Sequence, residues 1–440
     1  MREAGEFKQQ EINFYPERLI FYRNINNDPL IVMTKELINN LINHEDENRD
    51  PEGIFFQICG ELVQKAESYQ WQGNLWKHYL SLLMAQAENT FSRSCARLVG
   101  DNLDTGLFEF ALHDLKLLKK MWDFDFKDLG EWVPLEIADT LKNFICDFSC
   151  LNPRGKFWYG ENVGNLCNDL EKAGSPEQMV ECLKNFYRDK GYGKIGMFYF
   201  FSWGKEGLRG ISYPDPVTLE DLIGYEEQKE IIVKNTEAFT RGKKANNMLL
   251  YGERGTGKSS TVKALVNEYH SRGLRMVEVH KAQLAALKDI MGGLREYPQR
   301  FIVFIDDLSF ESNETEYKYL KYILEGGVEV IPENVVIYAT SNRRHLVRES
   351  WQDRDEGTEV RVSDSLSEKL SLADRFGITV TFTSPDQEEY LKIVEGLAEK
   401  SKLEISKAEL REKALWWERW HNGRSGRTAK QFINSLLSEL

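Results

Sequence analysis

Met248-Leu249-Leu250-Tyr251-Gly252-Glu253-Arg254-Gly255-Thr256-Gly257-Lys258-Ser259 decides how this chain reads. Residues suited to a buried strand run into Gly-x-x-x-x-Gly-Lys-Ser without a mismatch. A helical pattern follows at residues 261–269, with Val262, Leu265 and Val266 on one face. Each part has a physical task. The glycines let the backbone wrap closely, so that successive N–H groups point inward at an anion. The helix beginning near Lys258 adds the positive end of its dipole. Lys258 offers a point charge to β- and γ-phosphates, and the Ser259 hydroxyl a ligand to Mg²⁺. The expected ligand is therefore ATP with Mg²⁺. Its expected contacts are Gly252, Glu253, Arg254, Gly255, Thr256, Gly257, Lys258, Ser259 and the neighbouring Ser260.

Outward from this loop, Phe301-Ile302-Val303-Phe304-Ile305-Asp306-Asp307 is an apolar strand ending in two carboxylates. Asp306 is expected to hold Mg²⁺ through its waters, and Asp307 to orient or deprotonate an attacking water. Val335-Val336-Ile337-Tyr338-Ala339-Thr340-Ser341-Asn342 is a second apolar strand with a polar tip. The Asn342 amide is expected between the γ-phosphate and the acidic strand. Runs at 275–279 and 378–382 bring the expected strands to five, alternating with helical segments as in a parallel α/β sheet. From 384 to 440 the pattern is helical, with Ser384 as N-cap, Pro385 at the first helical position, Gln387 completing a capping box, and a break at 422–426.

The half before the sheet differs. Residues 1–205 read as mostly helical, with apolar residues at three- and four-residue spacing in 34–43, 76–98 and 107–122. In the last of these Leu107, Phe110, Ala111, Leu115, Leu118 and Trp122 fall on one face. Phe198, Tyr199, Phe200, Phe201 and Trp203 suggest a buried strand or a domain seam. The glycine- and proline-rich residues 204–216 suggest a boundary. The expected organisation is a mostly helical domain at 1–205, an α/β nucleotide-binding domain at 214–383 and a helical lid at 384–440.

Composition narrows the function classes. The chain has 440 residues and a net charge of −13, which argues against broad attraction to nucleic-acid backbones. No apolar run approaches the ~18 residues of a membrane span, and residues 1–13 lack a signal-type apolar stretch. A cytoplasmic protein without membrane association is expected. Cys59, Cys95, Cys146, Cys150, Cys167 and Cys182 include no CxxC pair, so they are expected as buried free thiols; Cys146 and Cys150 could share a helix face. Trp416, Trp417 and Trp420 lie at helical spacing and are expected in a core. Arg343-Arg344-His345 could contact a partner or a nucleic-acid backbone, or form a solvated basic loop.

The ordered motifs resemble the AAA+ ATPase superfamily over residues 214–440. Leu219-Glu220-Asp221-Leu222-Ile223-Gly224-Tyr225 looks like the segment bordering the adenine pocket, which implies base contacts at Ile223 and Gly224. Asn342 resembles sensor 1. Ala373-Asp374-Arg375-Phe376-Gly377 looks like the arginine-finger box, and Gly426-Arg427-Thr428-Ala429-Lys430-Gln431-Phe432 like sensor 2 in the lid. The resemblance implies that Arg375 reaches the γ-phosphate of a neighbouring subunit, hence a homo-oligomer with shared sites, and that Arg427 acts in cis. A surface ion pair is the alternative for each. One departure stands out: the usual second acid is glutamate, and here it is Asp307, with Glu311 as an alternative base. More narrowly, residues 246–252, 305–311 and 338–346 are similar to a family of predicted bacterial AAA+ ATPases of unknown function, a likeness that extends into the helical N-terminal half. The implied function is ATP hydrolysis driving conformational work on an unidentified protein client. A nucleotide-gated loader or adaptor with slow hydrolysis is the alternative, followed by a nucleic-acid-dependent ATPase.

Overall fold

A computed structural model describes residues 15–43, 50–98, 100, 102–146, 158–310, 314, 316–326, 331–342, 346, 372–421 and 423–438. The chain divides into two compact units, Met1–Phe198 and Tyr199–Leu440.

The first unit is helical. Its described helices are α1 (Pro29–Asn43), α2 (Pro51–Tyr69), α3 (Leu75–Ala85), α4 (Thr90–Ala96), α5 (Thr105–Trp122), α6 (Leu135–Lys142), α7 (Trp158–Lys172), α8 (Pro176–Lys190) and α9 (Gly193–Met197). The helical pattern at 76–98 is two helices rather than one. Asn89 stops the run: its side chain accepts from Ser92 N at 2.8 Å while Ser92 Oγ accepts from Asn89 N at 3.0 Å, a capping box that starts α4. On α5 the expected apolar face is buried at Ala111, Leu115, Leu118 and Trp122, but Phe110 is exposed and packs edge-on to Phe21. Buried Asp114 on the same helix accepts the backbone N–H groups of Ile20, Phe21 and Tyr22, tying the incoming chain to α5. Cys59, Cys95 and Cys167 are buried free thiols, whereas Cys146 and Cys182 are half-buried. Cys146 lies outside the helices, and Cys150 is not among the described residues.

The second unit is built on a seven-stranded sheet in the order β2-β1-β4-β5-β6-β3-β7. The five expected strands are β3 (Met248–Gly252), β4 (Leu274–Glu278), β5 (Arg300–Ile305), β6 (Val335–Ser341) and β7 (Ile378–Phe382), all parallel. The sheet is larger than these five. The aromatic cluster supplies β1 (Phe200–Gly204), which pairs parallel to β4 and antiparallel to β2 (Gly207–Gly210). The glycine-rich stretch after it therefore holds a hairpin. The interior strands read as continuous apolar runs because both faces are covered: every residue of β6 is buried, and all of β5 except Arg300. The covering helices include α10 (Glu226–Thr240), α11 (Lys258–Tyr269), α12 (Leu287–Leu294) and α13 (Tyr317–Leu324).

Three helices form the lid: α14 (Gln387–Lys400), α15 (Lys407–Trp420) and α16 (Gly426–Ser438). Tyr390, Leu391, Val394, Leu410, Ala414, Ala429, Phe432 and Ile433 give it a core of its own. Its first helix is capped by Asp386, not Ser384. Asp386 accepts from Glu389 N at 2.8 Å and donates its own N–H to Glu389 Oε2, and a carboxylate at this position also favours the helix dipole. Of the three lid tryptophans only Trp417 packs into this core; Trp416 and Trp420 are 60% and 73% exposed. No described helix is long and apolar enough to cross a membrane.

Candidate nucleotide site

Sheet order brings the chemistry together. β5, β6 and β3 are neighbours, and in a parallel sheet their carboxyl ends share one edge, where open α/β sheets bind ligands. The loop after β3, the acids after β5 and the amide after β6 therefore meet, although 47 to 84 residues separate them in sequence.

The loop's shape depends on glycine. Gly252 has φ 139°, and a Cβ there would lie 1.9 Å from the Phe382 carbonyl oxygen, because Glu253 N donates to that oxygen at 3.0 Å. Gly255 has φ 78° and accepts from Arg427 N at 3.1 Å, so the start of α16 rests on the loop. Within the loop, Thr256 Oγ1 donates to Glu253 O.

Lys258 is 6% exposed, and its ammonium donates to Gly252 O at 2.9 Å, Glu253 O at 2.7 Å and Asn342 Oδ1 at 3.4 Å. Burial lowers its pKa below the ordinary lysine value, and the charges of Asp307 and Asp306 push the other way. A buried cation held by neutral oxygens is suited to an incoming phosphate. Ser259 Oγ donates to Asp306 Oδ1 at 2.6 Å. The same carboxylate oxygen accepts from Thr340 Oγ1 at 2.5 Å and Asp307 N at 3.1 Å. A hydroxyl and a carboxylate converging beside a phosphate loop are the hard oxygen donors that Mg²⁺ requires, so these residues fit the metal. Asp307 is a left-handed non-glycine residue, φ 49°, and its Oδ1 accepts from Asn342 Nδ2 at 2.6 Å.

These groups open on a cavity of about 960 Å³. Arg254, Arg427 and Lys430 stand exposed on its polar side. Val217, Ile223, Gly224, Ile393 and Leu397 form a less polar wall, and Ser260 lines it as well. Ile223 also packs against the lid core. Its approach is close at Gly396, where a Cβ would lie 2.5 Å from Ile223 Cδ1 and the Ile223 side chain would have to shift. Arg375 is not among the residues lining the cavity. Its guanidinium pairs with Glu325 Oε1 at 2.9 Å, on a half-exposed surface. Glu311, Arg343, Arg344 and His345 lie outside the described residues.

Several cavity residues escaped the sequence reading. Thr340 had a usable signal: it lies two positions before Asn342 in the same apolar run, the spacing that in an extended chain puts two side chains on one side. Lys400 had none. Its ammonium meets Glu220 O and Asp221 Oδ1 across some 180 residues of sequence, linking the lid to the base-side segment. Phe382 lines the cavity, with Tyr225 tilted against it at 5.2 Å between ring centroids and the Tyr225 hydroxyl donating to Thr383 O.

A family model described as protein of unknown function (DUF815) matches residues 196–440, more than half of the chain. The expected likeness in the N-terminal half lies outside that span. Among characterised proteins, the chain is 31% identical over 105 residues to the Holliday junction branch migration complex subunit RuvB of Prochlorococcus marinus, covering 24% of this chain and 27% of that one. It is 29% identical over 77 residues to the replication factor C large subunit of Methanococcus vannielii, covering 18% and 16%. The matched stretches thus span about a quarter or less of these relatives. Among solved structures, the Thermotoga maritima RuvB branch migration motor is similar at 18% identity and a TM-score of 0.35, covering 50% of this chain and 63% of that one. The match over residues 196–440 takes in the phosphate loop, the two polar strand ends and the lid; the chain belongs to the DUF815 family of proteins of unknown function.

Proposed function

We propose that the protein binds ATP with Mg²⁺ between the α/β layer and the lid and hydrolyses it to drive conformational work on a protein client or complex. One observation carries this reading: Ser259 meets Asp306, and Asn342 meets Asp307, each at 2.6 Å, in adjoining hydrogen bonds at the tips of neighbouring strands. A metal-holding pair and a water-positioning pair are thereby side by side, next to a buried lysine.

In this reading Lys258, Arg254 and Arg427 bind the phosphates, and Ile223 and Gly224 flank the base. Ser259 and Asp306 hold Mg²⁺, which when bound supplies charge neutralisation on the phosphate oxygens. Asp307 orients the attacking water or takes its proton, and Asn342 sets the angle between that water and the γ-phosphate. Arg375 exchanges Glu325 for the γ-phosphate of an adjoining copy, where a cation stabilises the charge of the transition state. Purified protein with Mg-ATP is expected to release phosphate, and Lys258→Ala to stop it. Absence of turnover at high protein concentration, with or without assembly, sinks the motor reading.

A second reading has its own observation. The Asp307 carboxylate is engaged by Asn342 and held on a left-handed backbone. That favours a nucleotide-gated loader or adaptor, in which a partner must shift Asn342 before hydrolysis proceeds. Tight ATP binding with negligible turnover, restored by the partner, is its signature. The relatives' names, a Holliday junction branch migration subunit and a replication factor, make DNA the first partner to add. Stimulation by DNA with a steep salt dependence would identify it; no stimulation at low salt would leave a protein client.

A further inference from the structure

We infer that Thr340 is the positioning residue of the acidic pair, its hydroxyl and its carbonyl together fixing the turn that directs Asp306 to the metal and Asp307 to the water. The inference rests on the nucleotide-site reading above.

Thr340 is 1% exposed, one residue from the end of β6. The β5–β6 register pairs Ile305 with Ala339, which sets Thr340 opposite Asp306, the residue just past the strand. Its side chain makes two hydrogen bonds of fixed polarity. Asp307 N–H donates to Thr340 Oγ1 at 2.9 Å, so the hydroxyl proton is left for Asp306 Oδ1 at 2.5 Å. Its carbonyl accepts from Leu308 N at 2.7 Å. One residue therefore bonds all three members of the 306–308 turn.

Two consequences follow. Asp306 Oδ1 is pinned from two sides, by Thr340 and by Ser259, so its orientation toward a metal is set before any metal arrives. Asp307 is held at φ 49°, in the left-handed region that few non-glycine residues adopt, with its carboxylate on Asn342. The shorter acid thus gains through the turn a placement that a longer glutamate would reach through its side chain. The β-branched methyl of threonine restricts χ1 and keeps the hydroxyl in that rotamer.

The experiment compares the full-length protein with Thr340→Ser and Thr340→Val. Three quantities are read: binding of a fluorescent ATP analogue without divalent cation, Mn²⁺ affinity of the ATP complex by electron paramagnetic resonance titration, and phosphate release at saturating ATP. Thermal melting of each variant monitors folding. For Thr340→Val the expected result is metal-free nucleotide binding close to wild type, Mn²⁺ binding about tenfold weaker, and turnover reduced about tenfold or more at saturating ATP. Thr340→Ser should recover most of both losses. Wild-type Mn²⁺ affinity in Thr340→Val overturns the inference. So does equal impairment of Ser and Val, or loss of metal-free binding together with melting temperature, which marks a purely structural threonine. If the wild-type protein itself binds no ATP analogue, the nucleotide reading has failed, and that outcome is distinct from all of these.

Discussion

The strand tips and the rim of the same cleft treat charge in opposite ways. At the tips, Lys258, Ser259, Asp306, Asp307, Thr340 and Asn342 are bonded to one another at 2.5 to 3.4 Å. At the rim, Arg254, Arg427 and Lys430 are exposed. Arg375 stands apart with Glu325. The tips are preorganised, because a parallel sheet fixes their register and burial of Lys258 and Thr340 raises the cost of leaving those groups unpaired. Under the proposed function, the rim and Arg375 act only on charge brought by a ligand or a neighbouring copy. In that reading, binding geometry would reside in the sheet and responsiveness in the arginines.

Changes at the tips should be the most severe. Lys258→Ala is expected to cut phosphate release by about 10²–10³-fold, read by a coupled phosphate assay. If the loss is no greater than for Arg427→Ala, the contrast between tip and rim is broken. Gly252→Ala should lower unfolding free energy by about 3 kcal/mol, since the new Cβ would strike the Phe382 carbonyl on a backbone that disfavours it. Denaturant titration measures that, and a melting curve like wild type would mean the loop yields more easily than its pairing with β7 implies.

Arg375→Ala should reduce turnover by about tenfold or more while leaving ATP affinity near wild type, if the residue serves an adjoining copy. Mixing Arg375→Ala with Lys258→Ala protein should then restore some activity, because each supplies what the other lacks. Failure of that complementation would keep Arg375 as a surface residue. Glu325→Gln, which frees Arg375 from an exposed pair, should shift turnover by less than about fivefold.

Protonation sharpens the same contrast. Burial depresses the Lys258 pKa, so below 10.5 the unfolded chain holds this proton more tightly than the folded one. The charged lysine thus costs stability at neutral pH, and the cost is relieved as pH rises through the lowered folded value toward 10.5. Triphosphate favours the charged form, so ATP binding in alkaline buffer should take up a proton and weaken as pH rises. Calorimetry in two buffers of different ionisation enthalpy reads the uptake. Lys258→Ala should remove it, whereas loss of Arg427, which is exposed, should not.

Much of this was legible in the sequence because it was local. The phosphate loop is contiguous, and β5 and β6 are apolar runs that lead into polar residues, so order along the chain sufficed to anticipate the five parallel strands. Errors arose where one local signal competed with another. Ser384-Pro385 carries the pattern of a helix start, but two positions on Asp386 and Glu389 form the reciprocal capping box instead. The run at 76–98 kept its periodicity across Asn89, which nonetheless took the role of cap.

The sequence by itself determined that this chain carries a phosphate loop and two polar strand tips, since glycine spacing and apolar runs depend only on neighbours along the backbone. Only the tertiary structure decided that Thr340 bonds both acids, that β1 and β2 extend the sheet, that Lys400 ties the lid to the base-side segment and that Arg375 pairs with Glu325. The physical reason is common to all four. Each depends on a contact between segments distant in sequence, such as β1 with β4, set by strand order and side-chain reach, and none is encoded in a local pattern.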